Sequence, residues 1–435
     1  SYQMLDLLIL SILIGFVLGL ISGLIPGIHT NNFALILLAL SPAIADLGFS
    51  NIHIAAMILA NAITHTFLNI IPSVYLGVPD ADTALAVLPG HAMLLDGMGM
   101  AAIRLSALGS AGSIVVSLLI AAPLVLFFGH YYDFMRENMG WILLMIVLLM
   151  ILTESGRYVE GRGSLVHLKY KFYAVVVLLL SGTLGAIAFG NTDLMHPCFQ
   201  FGSPSILLSL LTGLFGASVL LISVLTKSVL PEQRQHPLNL KSRWVLRGIA
   251  VGSIAGAIVA WLPGVSSGVA TVLARLAIKG DLEHHQTRAM EFIVSVSGTN
   301  TSNAIFGLIA LFIIGYPRSG AMVAVRDLVG ETLDFHLVLL FLIVIVLVSI
   351  AAYAATIFIG DLAPSVLAHF DYQKICMAII IGLVMMVILF NGVFGIAIFL
   401  AAVPIGMLPY YMGVKKSHAM GVLLLPVMMY YFGVG

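Results

Sequence analysis

Apolar positions fill the chain in long runs, and the polar positions that interrupt them fall in short clusters at recurrent places. A bilayer core of about 30 Å is crossed by roughly 20 apolar residues in a helix. Runs of that length occupy residues 106–129, 172–190, 204–226, 336–359 and 374–390. Residues 4–25, 51–72, 245–262 and 289–314 are as apolar but contain or adjoin glycine, proline, asparagine and threonine. Residues 28–45 and 265–278 are too short to span and read as half-helices. Two last runs, 393–413 and 419–433, flank Lys415, Lys416, Ser417 and His418. The pattern predicts an all-α polytopic membrane protein of about 10–13 membrane elements, some of them discontinuous.

Composition sharpens this. Hydrophobic residues make up 61% of the 435, and only 9% are charged, against about 25% charged in soluble domains. A soluble chain with so few charges could not cover its surface. With 19 basic and 19 acidic residues there is no basic field to attract nucleic acid. Cys198 and Cys376 stand apart, so no metal cluster, redox pair or structural disulfide is expected, nor any cofactor. The chain opens SYQMLDLLIL without a basic leader segment, so its first apolar run reads as a retained helix. Residues 154–171 carry Arg157, Arg162, Lys169 and Lys171; residues 227–247 carry Lys227, Arg234, Lys241, Arg243 and Arg247. Two full spans separate these loops, so both lie on one side, which the basic excess assigns to the cytoplasm.

The strongest pattern is an internal repeat. Gly15, Gly19, Gly23 and Gly27 recur every four residues and finish in Pro26-Gly27. Gly252, Gly256, Ala260 and Gly264 do the same and finish in Pro263-Gly264, at an offset of 237 residues. Gly77-Val78-Pro79 and Gly315-Tyr316-Pro317 follow at an offset of 238. Residues 1–226 then read as a first transmembrane repeat, 227–247 as a basic cytoplasmic connector, and 248–435 as a second repeat with C-terminal helices. The flanks of the first Pro-Gly break, 1–14 and 46–55, hold no Lys or Arg, whereas Lys241, Arg243, Arg247, Lys279 and Arg288 flank the second. If each break is the tip of a re-entrant helical hairpin, the positive-inside rule opens the two hairpins to opposite sides. That is an inverted-topology repeat, an architecture of secondary transporters.

A four-residue glycine period lets a neighbouring helix backbone approach closely, and packing alone accounts for most of it. The breaks differ, because open backbone at membrane depth is tolerated only where protein buries it or water reaches it. After Pro26 and Gly27 the chain restarts with His29, Thr30, Asn31 and Asn32; after Pro263 and Gly264 it restarts with Ser266 and Ser267. Free N–H groups at a helix start suit an anion, and capping of a kinked helix is the alternative. Polar patches Thr64-His65-Thr66 with Asn69, and Thr299-Asn300-Thr301-Ser302-Asn303, sit inside apolar runs. They either line a cavity or join helices. Beside the Gly-x-Pro turns stand Asp80 and Asp82, and Arg318 with Ser319. Arg318 could clamp a carboxylate or phosphate; His65, Asp80 and Asp82 are candidates for a coupling Na+ or proton. For each, a headgroup-level charge is the plainer reading.

Enzyme patterns fail. Gly264–Gly268 fits G-x-S-x-G but lies between apolar helices, where no strand-to-helix elbow forms. His284 and His285 lack a metal-ligand spacing, and there is no Walker A loop.

These motifs resemble a known family. GLISGLIPGIHTNN (19–32) looks like the first glycine-rich motif of TctA, the large membrane subunit of tripartite tricarboxylate transporters. PGHAMLLDGMGMAAIRLSALGS (89–110) is similar to the segment that follows there, and LSGTLGAIAFG (180–190) with FGSPSILLSLLTGLFGAS (201–218) to its middle section. GAIVAWLPGVSSG, TNTSNAIFG and IIGYPRSGAM correspond in order to its second Pro-Gly motif, its Asn-rich patch and its following turn. The resemblance covers nearly the whole chain. It implies uptake of carboxylates such as citrate across the cytoplasmic membrane, driven by an ion gradient, with an extracytoplasmic binding protein and a small membrane subunit as partners. The chain is shorter than typical members, its Asn-rich patch lacks the preceding acidic-proline residues, and Arg318 stands where glycine is usual. Those departures imply a stand-alone relative with its own anion. LPGVSSG alone also resembles a motif of polyprenyl-phosphate translocases, whose lipid-phosphate substrate is the alternative. A membrane assembly protein without transport is the third reading.

The expectation is therefore an alternating-access transporter of a small organic anion, di- or tricarboxylate in class. Its partners would be that anion and membrane lipid, and a homodimer is compatible with the sequence.

Overall fold

The computed structural model describes residues 2–25, 30–78, 83–154, 164–198, 206–227, 231–233, 240–262, 267–278, 286–315, 317, 319–330, 333–367 and 369–434. Among them the chain is helical and contains no strand. The first half holds α1 (Tyr2–Leu24), α2 (Thr30–Ala39), α3 (Ser41–Asp46), α4 (Asn51–Leu68), α5 (Ile70–Tyr75) and α6 (Val87–Leu95). It continues with α7 (Gly99–Glu137), α8 (Met139–Leu152), α9 (Ser164–Gly190), α10 (Leu207–Leu211) and α11 (Ser218–Leu225). The second half holds α12 (Ser242–Trp261), α13 (Ser267–Ala277), α14 (Gln286–Ile314), α15 (Gly320–Val329), α16 (Phe335–Leu367), α17 (Tyr372–Met412) and α18 (Gly421–Tyr431). Nine described helices are long and apolar enough to cross a membrane; Gly129–Glu137 and Met139–Leu152, bent by 77°, form a broken pair that brings the number to ten. The protein is a multi-pass membrane protein.

Helices α4 and α14 lie at the centre. In the most apolar stretch of Asn51–Tyr75, 94% of residues are buried, and in Gln286–Ile314 72%, against 28% in α1. Around α4 pack α1, α2, α15 and α16; around α14 pack α12, α7, α13 and α6. The outer helices turn apolar faces outward. On α1, Leu5, Ile9, Leu13 and Val17 are exposed at four-residue spacing, where lipid tails would cover them.

The opposite face of α1 carries the small stripe. A Cβ added to Gly15 would overlap the carbonyl oxygen of Met57, and one on Gly19 would strike Thr64. On α12, a Cβ on Gly252 would overlap the Ser295 carbonyl and one on Gly256 the Thr299 carbonyl. Met57 and Ser295 are 238 positions apart, close to the 237 that separate Gly15 from Gly252. The two helix pairs thus pack in the same register. Close approach of this kind maximises dispersion contacts where no hydrophobic effect drives helices together.

Helix α17, at 41 residues, would reach about 60 Å if straight, twice the bilayer. It bends at Gly392, which has φ 67°, and a side chain there would run into the carbonyl of His196. The sequence divides this region at the same place, between 374–390 and 393–413. Two segments escape the sequence reading: α8, whose 14 residues fall below a span length, and the short apolar helical segment Ala84–Leu95.

Candidate functional site

The polar patches of the two halves meet where α4 crosses α14. The hydroxyls of Thr66 and Thr301 are 3.1 Å apart, and the Asn300 amide donates to Asn69 Oδ1 at 3.4 Å. All four side chains are buried. Among the described residues Asn69 Nδ2 has no partner, and neither does Asn61 Nδ2 or Thr64 Oγ1 on the preceding turns of α4. A buried polar atom left unpaired costs about 1–3 kcal/mol; Asn61 and Thr64 lie against α1, so the Asn69 amide, at the C-cap of α4, is the unpaired donor at the crossing with α14.

The neighbouring face of α4 looks toward α1. Ser22 Oγ lies 3.0 Å from Asn61 Oδ1 and 3.2 Å from His65 Nδ1, which places His65 in the α1–α4 contact. The corresponding face of α14 is joined to its neighbours. Ser302 donates to the Ser253 carbonyl of α12 at 2.7 Å, while the Thr299 hydroxyl turns back on its own helix and donates to the Ser295 carbonyl at 2.8 Å. Ser302 also accepts from Ser117 of α7 at 3.0 Å. Asn303 is half-buried, and its backbone N–H sits beside Gly256. Of the five consecutive polar residues 299–303, Ser302 therefore joins α14 to α12 and α7, Thr299 bonds its own helix, and Asn300 and Thr301 face the other half.

The helices that follow the breaks cross between halves. Thr30 opens α2 and Ser267 opens α13, and both are buried. Helix α2 packs on α15, the helix after the second Gly-x-Pro turn; α13 touches the turn Ala84–Ala86, which follows the first. Asn31 Oδ1 accepts the backbone N–H of Ala321 at 3.0 Å, beside Ser319, whose hydroxyl caps α15 by accepting from Met322 N at 3.3 Å. Thus Asn31 and Ser319, 288 positions apart, share one helix start. Pro26, Gly27, Asp80, Asp82, Pro263, Gly264, Ser266 and Arg318 lie outside the described residues, as does the side chain of Asn32.

Several participants are absent from the sequence-based candidates. Asn61 joins the cluster through helical spacing to Thr64 and His65, a signal visible in hindsight as 61-64-65, and Ser22 joins it from α1. Helix α7 adds a buried serine row: Ser106 lies 2.6 Å from Ser297, and Ser110 donates to the Ser297 carbonyl at 3.3 Å. Among the described residues no group of three His, Cys, Asp or Glu could hold a metal ion.

Comparison with known proteins bears on this arrangement. The model of the tripartite tricarboxylate transporter TctA family matches residues 9–421. An uncharacterised protein of Methanocaldococcus jannaschii, MJ1079, is 28% identical over 436 aligned positions, covering 97% of this chain and 98% of the relative. No solved structure matches.

Proposed function

The chain belongs to the tripartite tricarboxylate transporter TctA family, and from that premise we propose that it is the membrane-embedded transport subunit for a small organic anion of the di- or tricarboxylate class. The observation that carries the reading is the unpartnered amide of Asn69 at the crossing of α4 and α14. A carboxylate oxygen is the acceptor that this amide lacks, and Thr66, Asn300 and Thr301 surround the same point. The N-terminal dipole ends of α2 and α13 would add partial positive charge, and Arg318 a full one. His65, Asp80 and Asp82 are the groups for a coupling Na+ or proton.

Transport would proceed by alternating access. The cross-packing of α2 on α15 supports this, because a ligand held between them biases both halves together. Occupancy by anion and coupling ion would favour the interconversion that either alone disfavours. The protein would sit in the cytoplasmic membrane; an extracytoplasmic binding protein and a small membrane subunit are the partners by family, set against the stand-alone working that the sequence departures imply, and uptake with and without the binding protein separates the two.

The test is uptake into proteoliposomes of the purified protein, with labelled citrate, succinate and other carboxylates, under imposed sodium or proton gradients. Gradient-dependent accumulation of one carboxylate is expected. Absence of accumulation across the panel, with and without the binding protein, would sink the proposal.

A further inference from the structure

We propose that the arginine-rich start of α12, together with the first turn of α14, binds the headgroup of an anionic phospholipid. The zeta carbons of Arg243, Arg247 and Arg288 lie 4.8, 5.6 and 4.6 Å from the centroid of the Trp244 ring. Three guanidinium groups thus gather on one indole, in a chain with only 19 basic residues among 435. Lys241 precedes them at the N-cap of α12. Stacking on an aromatic face stabilises each guanidinium, but like charges this close oppose one another.

One carboxylate answers them. Glu291, fully buried, accepts from Arg288 Nη1 at 3.0 Å and lies 3.4 Å from Arg247 Nη1. Arg247 also donates to the Ala277 carbonyl at the end of α13, at 3.0 Å. Arg243 meets the indole and no carboxylate among the described residues. The cluster therefore carries three positive charges against one negative, and its guanidinium groups remain partly exposed: 40% of the Arg247 side chain and 31% of that of Arg288. Guanidinium groups offer paired donors that match a phosphate bidentately.

The surroundings select a lipid phosphate over a soluble one. Leu246, next to these arginines on α12, is 65% exposed, and Ile254, two turns further along, is 49% exposed. An apolar outward face thus begins directly beside the charges. An indole at that level is the usual mark of the membrane boundary. A phospholipid would lay its acyl chains along Leu246 and Ile254 and its phosphate among the arginines. Basic residues at this level attract anionic lipids by about 1 kcal/mol each, or about fivefold in binding.

The experiment measures lipids retained by the purified full-length protein, by native mass spectrometry, from micelles holding equal parts phosphatidylcholine and phosphatidylglycerol. Wild type should retain phosphatidylglycerol preferentially, and Arg243→Gln should weaken that retention about fivefold. Glu291→Gln should strengthen it, because it removes the one neutralising charge. Arg247→Gln or Arg288→Gln alone leaves Glu291 buried with a lost partner and risks the fold. The combined Arg247→Gln, Arg288→Gln, Glu291→Gln variant avoids that and should lose the preference. Equal retention of both lipids by wild type, or unchanged retention in Arg243→Gln, would overturn the proposal. Displacement of phosphatidylglycerol by inorganic phosphate at equal concentration would make this a soluble-anion site and overturn it too.

Discussion

The side-chain oxygen of Asn31 accepts the backbone N–H of Ala321 at 3.0 Å, across 290 residues of chain. That N–H is one of the donors left free in the first turn of α15, so a residue of one half caps a helix of the other. Gly320 completes the contact, since a Cβ there would come within 2.9 Å of Asn31 Cβ.

Asn31→Ala should therefore lower stability by about 0.5–2 kcal/mol, the range for a lost N-terminal cap. Thermal unfolding of the purified protein in detergent is the measurement. Asn31→Asp keeps the acceptor at the positive end of a helix and should lose less. Equal losses for the two substitutions would show that the cap is not what Asn31 supplies.

The glycine stripes give a prediction with an internal control. Gly15→Ala and Gly252→Ala each force a methyl group into a neighbouring helix carbonyl, and overpacking of this kind costs about 1–3 kcal/mol. Gly382→Ala, in α17, meets nothing within 4 Å, so relief of backbone entropy should make it neutral or stabilising by up to about 1 kcal/mol. Unfolding midpoints of the three variants compare them directly. Similar behaviour of all three would contradict the close approach of α1 to α4 and of α12 to α14.

Those stripes were legible in the sequence because a four-residue period of small side chains has one physical use, the close contact of helices. The half-helices α2 and α13 were legible too, since each starts just after a Pro-Gly break and is too short to span. Helix α8 was not, because 14 apolar residues look like a fragment until the 77° bend joins them to the end of α7. The division of labour within Thr299–Asn303 was also hidden: five polar residues in a row give no sign of which face α12, α7 or α4. Partners such as Ser106 and Ser297 lie 191 residues apart, and serine on an apolar helix carries no mark of its partner.

Glu154 and His418 show the same limit. The carboxylate at the end of α8 lies 2.7 Å from His418 Nε2 and accepts the backbone N–H of Lys415 at 3.0 Å, with both side chains fully enclosed. The nearby Lys416 ammonium donates to Ser218 Oγ and the Gly406 carbonyl. Glu154→Ala should cost about 3 kcal/mol, because it strips a buried hydrogen-bonded partner from the imidazole and from the Lys415 amide. The Glu154→Leu, His418→Leu double variant should lose less than the sum of the single ones. Strict additivity in that cycle would mean the two side chains do not interact.

Asn69 separates binding from packing most sharply. Among the described residues its Nδ2 is buried without a partner, and its Oδ1 meets only the long 3.4 Å contact from Asn300. If Asn69 serves the fold, Asn69→Ala should lower the unfolding midpoint. If it serves a carboxylate ligand, as proposed, the same substitution removes an unsatisfied donor and should leave stability unchanged or raised. Uptake affinity should then fall about tenfold, the equivalent of one hydrogen bond to a charged group. Asn69→Asp sharpens the contrast, because it replaces the donor by a second negative charge facing the anion and should abolish uptake. Paired measurement of unfolding and of KM for uptake reads both. A destabilised Asn69→Ala protein that keeps wild-type KM would remove Asn69 from the site and leave the α4–α14 crossing as packing alone.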